Sequence, residues 1–280
     1  MSFSRVRPSL SEQEFTILRD LIRDRTGLHY HDGKRELLAE RLAGRMAERG
    51  FDAFIDYYYL LRYGPGADEE WNHVFDSLSV QETYFWREMD QVRALVDVVV
   101  PGHFSGLCVT PLRIWSAACA TGEEPLTIAM ALQESGWFGR GPIEIMASDG
   151  SLYALQKARQ GLYRDRAFRS LPEPLRKRYF TQTAAGWQID PAIHRRVGWN
   201  SANLADPAQI QRMLPAHVIF CRNVFIYFSA AAIGRTLRQF FDGMSVPGHL
   251  FVGVSEALLR YPHDFELQEL GRAFVYVKRQ

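Results

Sequence analysis

The sequence predicts an α/β protein in which a mostly parallel, doubly wound sheet with a small β-subdomain follows an all-helical N-terminal domain. Three features carry that expectation. Over the first third of the chain, apolar residues recur every three or four positions between start and stop signals, as they do along amphipathic helices. Beyond Pro111, short apolar runs alternate with helix-forming ones, the signature of strand–helix–strand units. With 47% hydrophobic and 23% charged residues over 280 positions, the chain can build one large core or two modest ones, and collagen-like or disordered classes are excluded. The helical domain and a linker are expected over 1–90 and the sheet domain over 91–280, with the β-subdomain inserted at about 180–199.

In order along the chain, Ser11 stands three residues before Glu14 and just ahead of Phe15, Leu18, Leu21 and Ile22. This is a capping box opening an amphipathic helix, and Gly27 stops it. A second helix is expected over 34–49, where Leu38, Leu42 and Met46 recur at four-residue spacing before Gly50. Arg41, Arg45 and Arg49 repeat at the same spacing, with Lys34 and Arg35 near the start. Such a row is either a solvated face or a docking surface for an acidic helix. A third helix covers 51–62, Gly64-Pro65-Gly66 breaks the chain, and another helix occupies 71–78.

Strands are expected over 112–119, 143–147, 217–221 and 249–254, with helices over 123–133, 152–160 and 230–241. The segment 180–199 fits neither period and reads as a small insertion of short strands.

Charge and composition narrow the partners. Lys and Arg number 33 against 32 Asp and Glu, a formal net charge of +1, so no global field draws the chain to nucleic acid or an anionic bilayer. The longest apolar run, 95–100, carries Asp97 and ends at Pro101, far short of the roughly 18 residues that span a membrane. Residues 1–10 include Arg5, Arg7 and Pro8 without an apolar signal core and read as a loose leader. Cys108, Cys119 and Cys221 form no Cys-x-x-Cys pair and are too few for a disulfide framework, which fits a reducing compartment. A cytoplasmic protein, without nucleic-acid partner or membrane insertion, is expected.

The chemistry is expected at the carboxyl ends of the strands. After the first strand comes Ser-Ala-Ala-Cys-Ala-Thr-Gly-Glu-Glu-Pro over 116–125. It is neither Gly-x-Gly-x-x-Gly nor a lysine-bearing Walker loop. Its small residues admit a ligand close to the backbone, while its carboxylates repel a pyrophosphate and attract an ammonium or sulfonium. Asp149, after the second strand, suits ribose hydroxyls or, equally, a helix N-cap ahead of Leu152. Arg222-Asn223 leads into the aromatic loop 224–228. Together these favour an adenosyl-methionine cofactor over NAD or ATP.

The segment 116–125, Phe-Cys-Arg-Asn-Val-Phe-Ile-Tyr-Phe at 220–228, Pro-Gly-His-Leu-Phe-Val-Gly at 247–253 with Ser255-Glu256, and Glu-Thr-Tyr-Phe-Trp-Arg-Glu at 82–88 resemble those of the CheR-type chemoreceptor glutamate methyltransferases. Leu10-Ser11-Glu12 and Thr26-Gly27-Leu28 extend the resemblance into the helical part. It implies a Rossmann-like methyltransferase domain with a β-subdomain behind a helical domain. It also implies methyl transfer from S-adenosylmethionine to receptor glutamates, giving glutamyl methyl esters and S-adenosylhomocysteine, with no metal. The partners implied are the cytoplasmic methylation helices of chemoreceptors. By the same resemblance Glu124 contacts the methionine amino group, with Glu123 as its alternative, and Asp149 holds the ribose. Asn203-Leu204 borders the adenine, Arg222-Asn223 forms the cofactor-side turn, and Gln81, Thr83 and Arg87 belong to a linker closing over the cofactor. Arg87 and Tyr227 occupy the methyl-transfer centre.

Gln81 stands where the family usually has Asn, and Trp86 where it usually has Phe. The 180–199 region is shorter than in members that bind a tethering peptide at the receptor C-terminus and lacks their Gly-rich loop, so a tether-independent enzyme is expected. The resemblance favours docking for Arg41, Arg45 and Arg49, since members use the equivalent helix against methylation helices. Two alternatives stand: a non-catalytic signalling protein that binds S-adenosylmethionine or S-adenosylhomocysteine, and a methyltransferase for another acidic protein or carboxylate. Gly-Val-Ser-Glu-Ala at 253–257 lacks the closing Gly of a nucleophile elbow and reads as a strand end. His29 and His31 lack further ligands at metal spacing, and Cys119 and Cys221 read as packing residues.

Overall fold

The computed structural model describes residues 9–105 and 110–280, so the leader expected at the start and Cys108 lie outside the described residues, except Ser9 and Leu10. The helical domain follows its sequence signals. Helix α1, Glu12–Thr26, opens with the capping box, in which the Glu14 N–H donates to Ser11 Oγ at 3.3 Å and the Ser11 N–H to Glu14 Oε2 at 2.9 Å. It closes at Gly27, whose φ of 77° is left-handed and whose Cα lies so close to Phe228 that a Cβ would stand 2.9 Å from that ring. Helices α2, Arg35–Glu48, α3, Phe54–Tyr63, and α4, Ala67–Leu78, complete it. Helix α4 starts earlier than expected because Asp68, Glu69 and Glu70 fill its first turn, where acidic side chains complement the helix dipole. Phe15, Leu18, Leu38, Leu42, Tyr57 and Val74 share a core that ends at Leu78. Phe85 already belongs to the core of the sheet domain.

A helix that the sequence reading leaves out follows the linker. Helix α5, Met89–Ala94, runs through a π turn over Leu95–Val99 into α6, Val100–Phe104. The apolar run at 95–100 is therefore a cover for the sheet: Leu95, Val96, Val99 and Val100 are buried in its core.

The sheet domain runs β1 (Leu112–Ala117), α7 (Glu123–Glu134), β2 (Ile143–Asp149), α8 (Leu152–Gln160), β3 (Leu162–Tyr163), α9 (Glu173–Tyr179), β4 (Phe180–Thr183), β5 (Gly186–Ile189), α10 (Pro191–His194), β6 (Val197–Ser201), α11 (Pro207–Gln211), β7 (Val218–Cys221), α12 (Ala230–Gly243), β8 (Gly248–Val252), β9 (Glu266–Leu270) and β10 (Ala273–Lys278). The main sheet has the order β6-β2-β1-β7-β8-β10-β9. Pairing is parallel from β6 to β8 and antiparallel at β10 and β9. Alternate residues serve opposite faces: Leu112 and Ile114 pack into one core, Trp115 and Ala117 into the other, as the two-residue period of a strand requires. Chain order reverses between β1 and β7, which is where an open sheet forms its ligand crevice.

The β-subdomain needs a correction. A three-stranded sheet ordered β3-β5-β4 spans residues 162 to 189, not 180 to 199. Residues Val197–Ser201 belong instead to the main sheet, where they pair with β2. As an edge strand β6 has a neighbour on one side only and exposes Gly198, Asn200 and Ser201, so it lacks the apolar run that marks the central strands. No helix among the described residues is long and apolar enough to cross a membrane.

Candidate active site

A cleft of about 1010 Å³, counting its open mouth, lies beyond the carboxyl ends of β1, β2 and β7. The linker roofs it, and Leu28 and Phe75 of the helical domain help to wall it. Gln81, Thr83, Arg87, Glu124, Asp149, Leu204, Arg222, Asn223 and Tyr227 all line it.

Among the described residues, five other than glycine have positive φ: Trp86, Glu88, Ala118, Ala120 and Asn223. All five lie on the linker, the loop after β1 or the turn after β7. Strain of this kind persists where surrounding contacts over-determine the backbone, commonly at functional sites. In the loop after β1, the Cys119 N–H donates to the Ser148 carbonyl at 2.9 Å and the Ala120 N–H to Asp149 Oδ2 at 2.9 Å.

The two adjacent glutamates separate. Glu124 lines the cleft, receives the Ser116 hydroxyl at 2.7 Å and lies 3.3 Å from Arg222 Nη1. Burial raises its carboxyl above the ordinary range against the pull of Arg222. Glu123 faces a neighbouring depression and accepts from Thr121 Oγ1 at 2.6 Å. Burial pushes its carboxyl up to about 7.

Asp149 accepts the Ala120 N–H at 2.9 Å and the Ser151 N–H at 2.8 Å, one on each oxygen, and burial raises its pKa. It is not the helix cap: Ser151 Oγ accepts the Ala154 N–H at 3.0 Å and caps α8. Sequence reasoning passes over Ser151 and Asp76. The Ser151 hydroxyl donates to Asp76 Oδ1 at 2.6 Å, and Gln81 Nε2 reaches Ser151 Oγ at 3.3 Å. Gly150 lets the Phe75 ring approach so closely that a Cβ would stand 2.4 Å from it. The end of α4 thus docks on the end of β2.

The linker is pinned by the small sheet and its neighbours. Phe85 is fully buried, with ring centroids of Tyr163, Phe180 and Phe168 at 4.8, 5.0 and 5.4 Å. Glu82 takes Arg169 at 2.6 Å and Arg166 at 3.0 Å. Arg87 then projects from a held backbone: Nη1 donates to the Glu82 carbonyl at 2.9 Å, and its guanidinium lies 5.5 Å from the Tyr84 ring centroid.

Arg222 joins the walls. Its side chain is 3% exposed; Nη2 donates to the Arg87 carbonyl at 2.8 Å and lies 3.1 Å from Glu88 Oε2, and Nη1 faces Glu124. Its Nε is buried without a partner among the described residues. The left-handed Asn223 donates its N–H to Glu256 Oε2 at 2.6 Å, which also takes the Gly253 N–H at 2.7 Å. Glu256 is therefore the brace of this turn. Tyr227 is 36% exposed on the cleft wall. Its carbonyl accepts the His29 N–H at 2.8 Å, beside a β-bridge between Leu28 and Phe228 that ties the two domains.

Two expectations meet a different geometry. Asn203 is not among the residues lining the cleft; its amide donates to the Arg25 carbonyl at 2.7 Å and its Oδ1 accepts the Ala205 N–H at 2.9 Å. It braces the end of α1, leaving Ala202 and Leu204 on the wall. The arginine row is likewise not a uniform cationic face. Arg45 is 16% exposed and grips the buried Glu70 with Nε at 2.7 Å and Nη2 at 2.6 Å, while the Tyr57 hydroxyl donates to the same carboxylate at 2.7 Å. Burial works to raise the Glu70 carboxyl, but these bonds outweigh it and hold it below its ordinary range. Arg41 reaches the Ser77 carbonyl at 3.4 Å, and Arg49, 45% exposed, lies 3.4 Å from Glu70. Cys119 and Cys221 are buried, and burial pushes both thiols well up, as suits packing residues.

Residues 13–79 match the all-alpha domain of the CheR methyltransferases and residues 81–274 match their SAM-binding domain. The chain is 32% identical to chemotaxis protein methyltransferase 2 of Vibrio cholerae, over 96% of this chain and 94% of that one. It is 32% identical to the chemotaxis protein methyltransferase of Escherichia coli, over 94% of this chain and 90% of that one. With the corresponding protein of Klebsiella aerogenes it shares 32% identity over 94% and 89%.

Proposed function

This chain belongs to the CheR methyltransferase family, an S-adenosylmethionine-dependent enzyme family of chemotaxis, and from that premise we propose that it esterifies glutamate side chains on the cytoplasmic methylation helices of chemoreceptors. One observation carries the reading: Glu124, Arg222 and Asp149 line one cleft. That set complements the ammonium, carboxylate and ribose of an amino-acid nucleoside.

The residues fit the cofactor. The partnerless Arg222 Nε is a buried donor, and a carboxylate would satisfy it. Asp149 spends one acceptor position on each oxygen and a carboxylate has about four, so two hydroxyls still find acceptors. Glu124, with Ser116 and Arg222 as partners, supplies an anion to an ammonium. When bound, S-adenosylmethionine supplies a sulfonium methyl: a carboxylate O–CH3 bond forms as the S–CH3 bond breaks, leaving a methyl ester and the neutral thioether of S-adenosylhomocysteine.

The chain's own task is alignment. A glutamate with a pKa of ~4.3 is ionised at pH 7, so the acceptor needs no general base. Arg87 holds one acceptor oxygen while Tyr227 orients the other. Arg41 and Arg49, with Lys34 and Arg35, remain for contact with an acidic helix; Arg45 does not, being committed to Glu70. Only Ala184 and Ala185 separate β4 from β5. So short a turn supports action without a receptor tether.

Labelled-methyl transfer to receptor cytoplasmic fragments, with and without their C-terminal tails, tests the reading. Base-labile methyl esters, formed equally on both fragments, are expected. Tight cofactor binding without transfer to any fragment would sink it in favour of a sensor.

A further inference from the structure

Glu88 closes the linker motif at the rim of the cleft, beside Arg87 and Arg222. It is held in the left-handed region at φ 50°, as is Trp86 at φ 67° on the other side of Arg87. Two unfavourable backbone states therefore bracket the residue that faces the acceptor. Residues other than glycine avoid this region unless contacts compel them. The Glu88 carboxylate, 19% exposed, supplies such contacts: Oε1 lies 3.7 Å from Arg87 Nε, Oε2 lies 3.1 Å from Arg222 Nη2, and Oε2 accepts the Val254 N–H at 3.3 Å. It thereby links the linker to the ends of β7 and β8.

The charges balance. Two guanidiniums, Arg87 and Arg222, meet two carboxylates, Glu88 and Glu124. An acceptor carboxylate paired with an uncompensated guanidinium would be bound tightly but would lose nucleophilicity, since its charge is what attacks the methyl group. We propose that Glu88 is a positioning residue for methyl transfer: it orients Arg87 and offsets part of its charge, so that the acceptor is aligned without being neutralised. This rests on the glutamate-methylating reading above.

The test compares wild type with Glu88→Gln, which keeps shape and removes charge; Glu88→Met replaces it if the first does not fold. The expected result is a kcat lower by about tenfold or more with an acceptor KM equal or lower, the mark of a ground state held too well. Affinity for S-adenosylhomocysteine, which carries no sulfonium, stays within about threefold. In the Arg87→Gln background, removing the Glu88 charge costs nothing further, because Glu88 acts through Arg87. An unchanged kcat, a raised acceptor KM, a parallel loss of S-adenosylhomocysteine affinity or multiplicative losses in the double variant would each overturn the assignment. If wild type itself transfers no methyl to a receptor fragment, the functional reading fails; if wild type works and the variants work equally, only the role of Glu88 fails.

Discussion

Arg222 Nη2 donates to the main-chain carbonyl of Arg87 at 2.8 Å, so the buried arginine after β7 sets the backbone from which the partly exposed arginine of the linker projects. The two guanidiniums do different work. Arg222 is enclosed by Glu88 and Glu124, whereas Arg87 is a quarter exposed at the cleft.

Substitution should separate these roles. Arg87→Ala is expected to lower single-turnover methyl transfer by about 100-fold, the scale of lost alignment, with cofactor affinity little changed. Arg222→Gln leaves two carboxylates short of their partner, at a cost of about 3 kcal/mol in stability, and weakens S-adenosylhomocysteine binding. Calorimetry and urea unfolding distinguish the two. Normal single-turnover rates in Arg87→Ala would remove Arg87 from the reacting centre.

Glu123 makes stability depend on pH. Its carboxyl titrates at about 7 in the fold against an ordinary 4.5. The folded state therefore binds the proton more tightly than the unfolded chain, and stability is lost as pH rises through that window. Glu123→Gln should be more stable than wild type at pH 8, by up to about 3 kcal/mol, and nearly equal to it at pH 4. Urea unfolding at the two pH values reads the difference; a pH-independent gap would refute the assignment.

Arg45 and Arg49 should part company. Removing Arg45 strands Glu70, which is 3% exposed, so Arg45→Met is expected to cost about 3 kcal/mol. Arg49→Ala, at a 45% exposed side chain, is expected to cost less than about 1 kcal/mol and to weaken receptor-fragment binding mainly at low salt. Equal stability losses would mean that Arg45 is not the structural member of the row.

Phe85 should matter to the cleft roof. Phe85→Ala removes a fully buried ring and is expected to cost about 3 to 5 kcal/mol. S-adenosylhomocysteine binding weakens too, because Gln81 and Thr83 no longer meet it preordered. Unchanged affinity well below the melting temperature would show that the linker is held by other contacts.

Several elements are legible in the chain because their signals are local. Ser11 and Glu14 mark the start of α1, and Leu38, Leu42 and Met46 mark one face of α2. The helix after the linker escapes this reading because the π turn at Leu95–Val99 shifts the register that a regular helical period would show. Strand β6 escapes because an edge position tolerates Asn200 and Ser201. Glu124 and Asp149 are legible as candidates from their places after strands, but their alternatives are not resolvable there. Only the fold turns Glu124, in the first turn of α7, toward the cleft and Glu123 away from it.

By itself the sequence determines the helical domain, the alternation of strands and helices, and the small-residue and acidic segments that follow the strands, since each depends on residues close in the chain. Tertiary structure alone decides which charges are spent and which stay available. Arg45 meets Glu70 across 25 positions, Ser151 meets Asp76 across 75, and Arg222 meets the Arg87 carbonyl across 135. A pairing of that kind is set by distance and burial in three dimensions, and no local period encodes it.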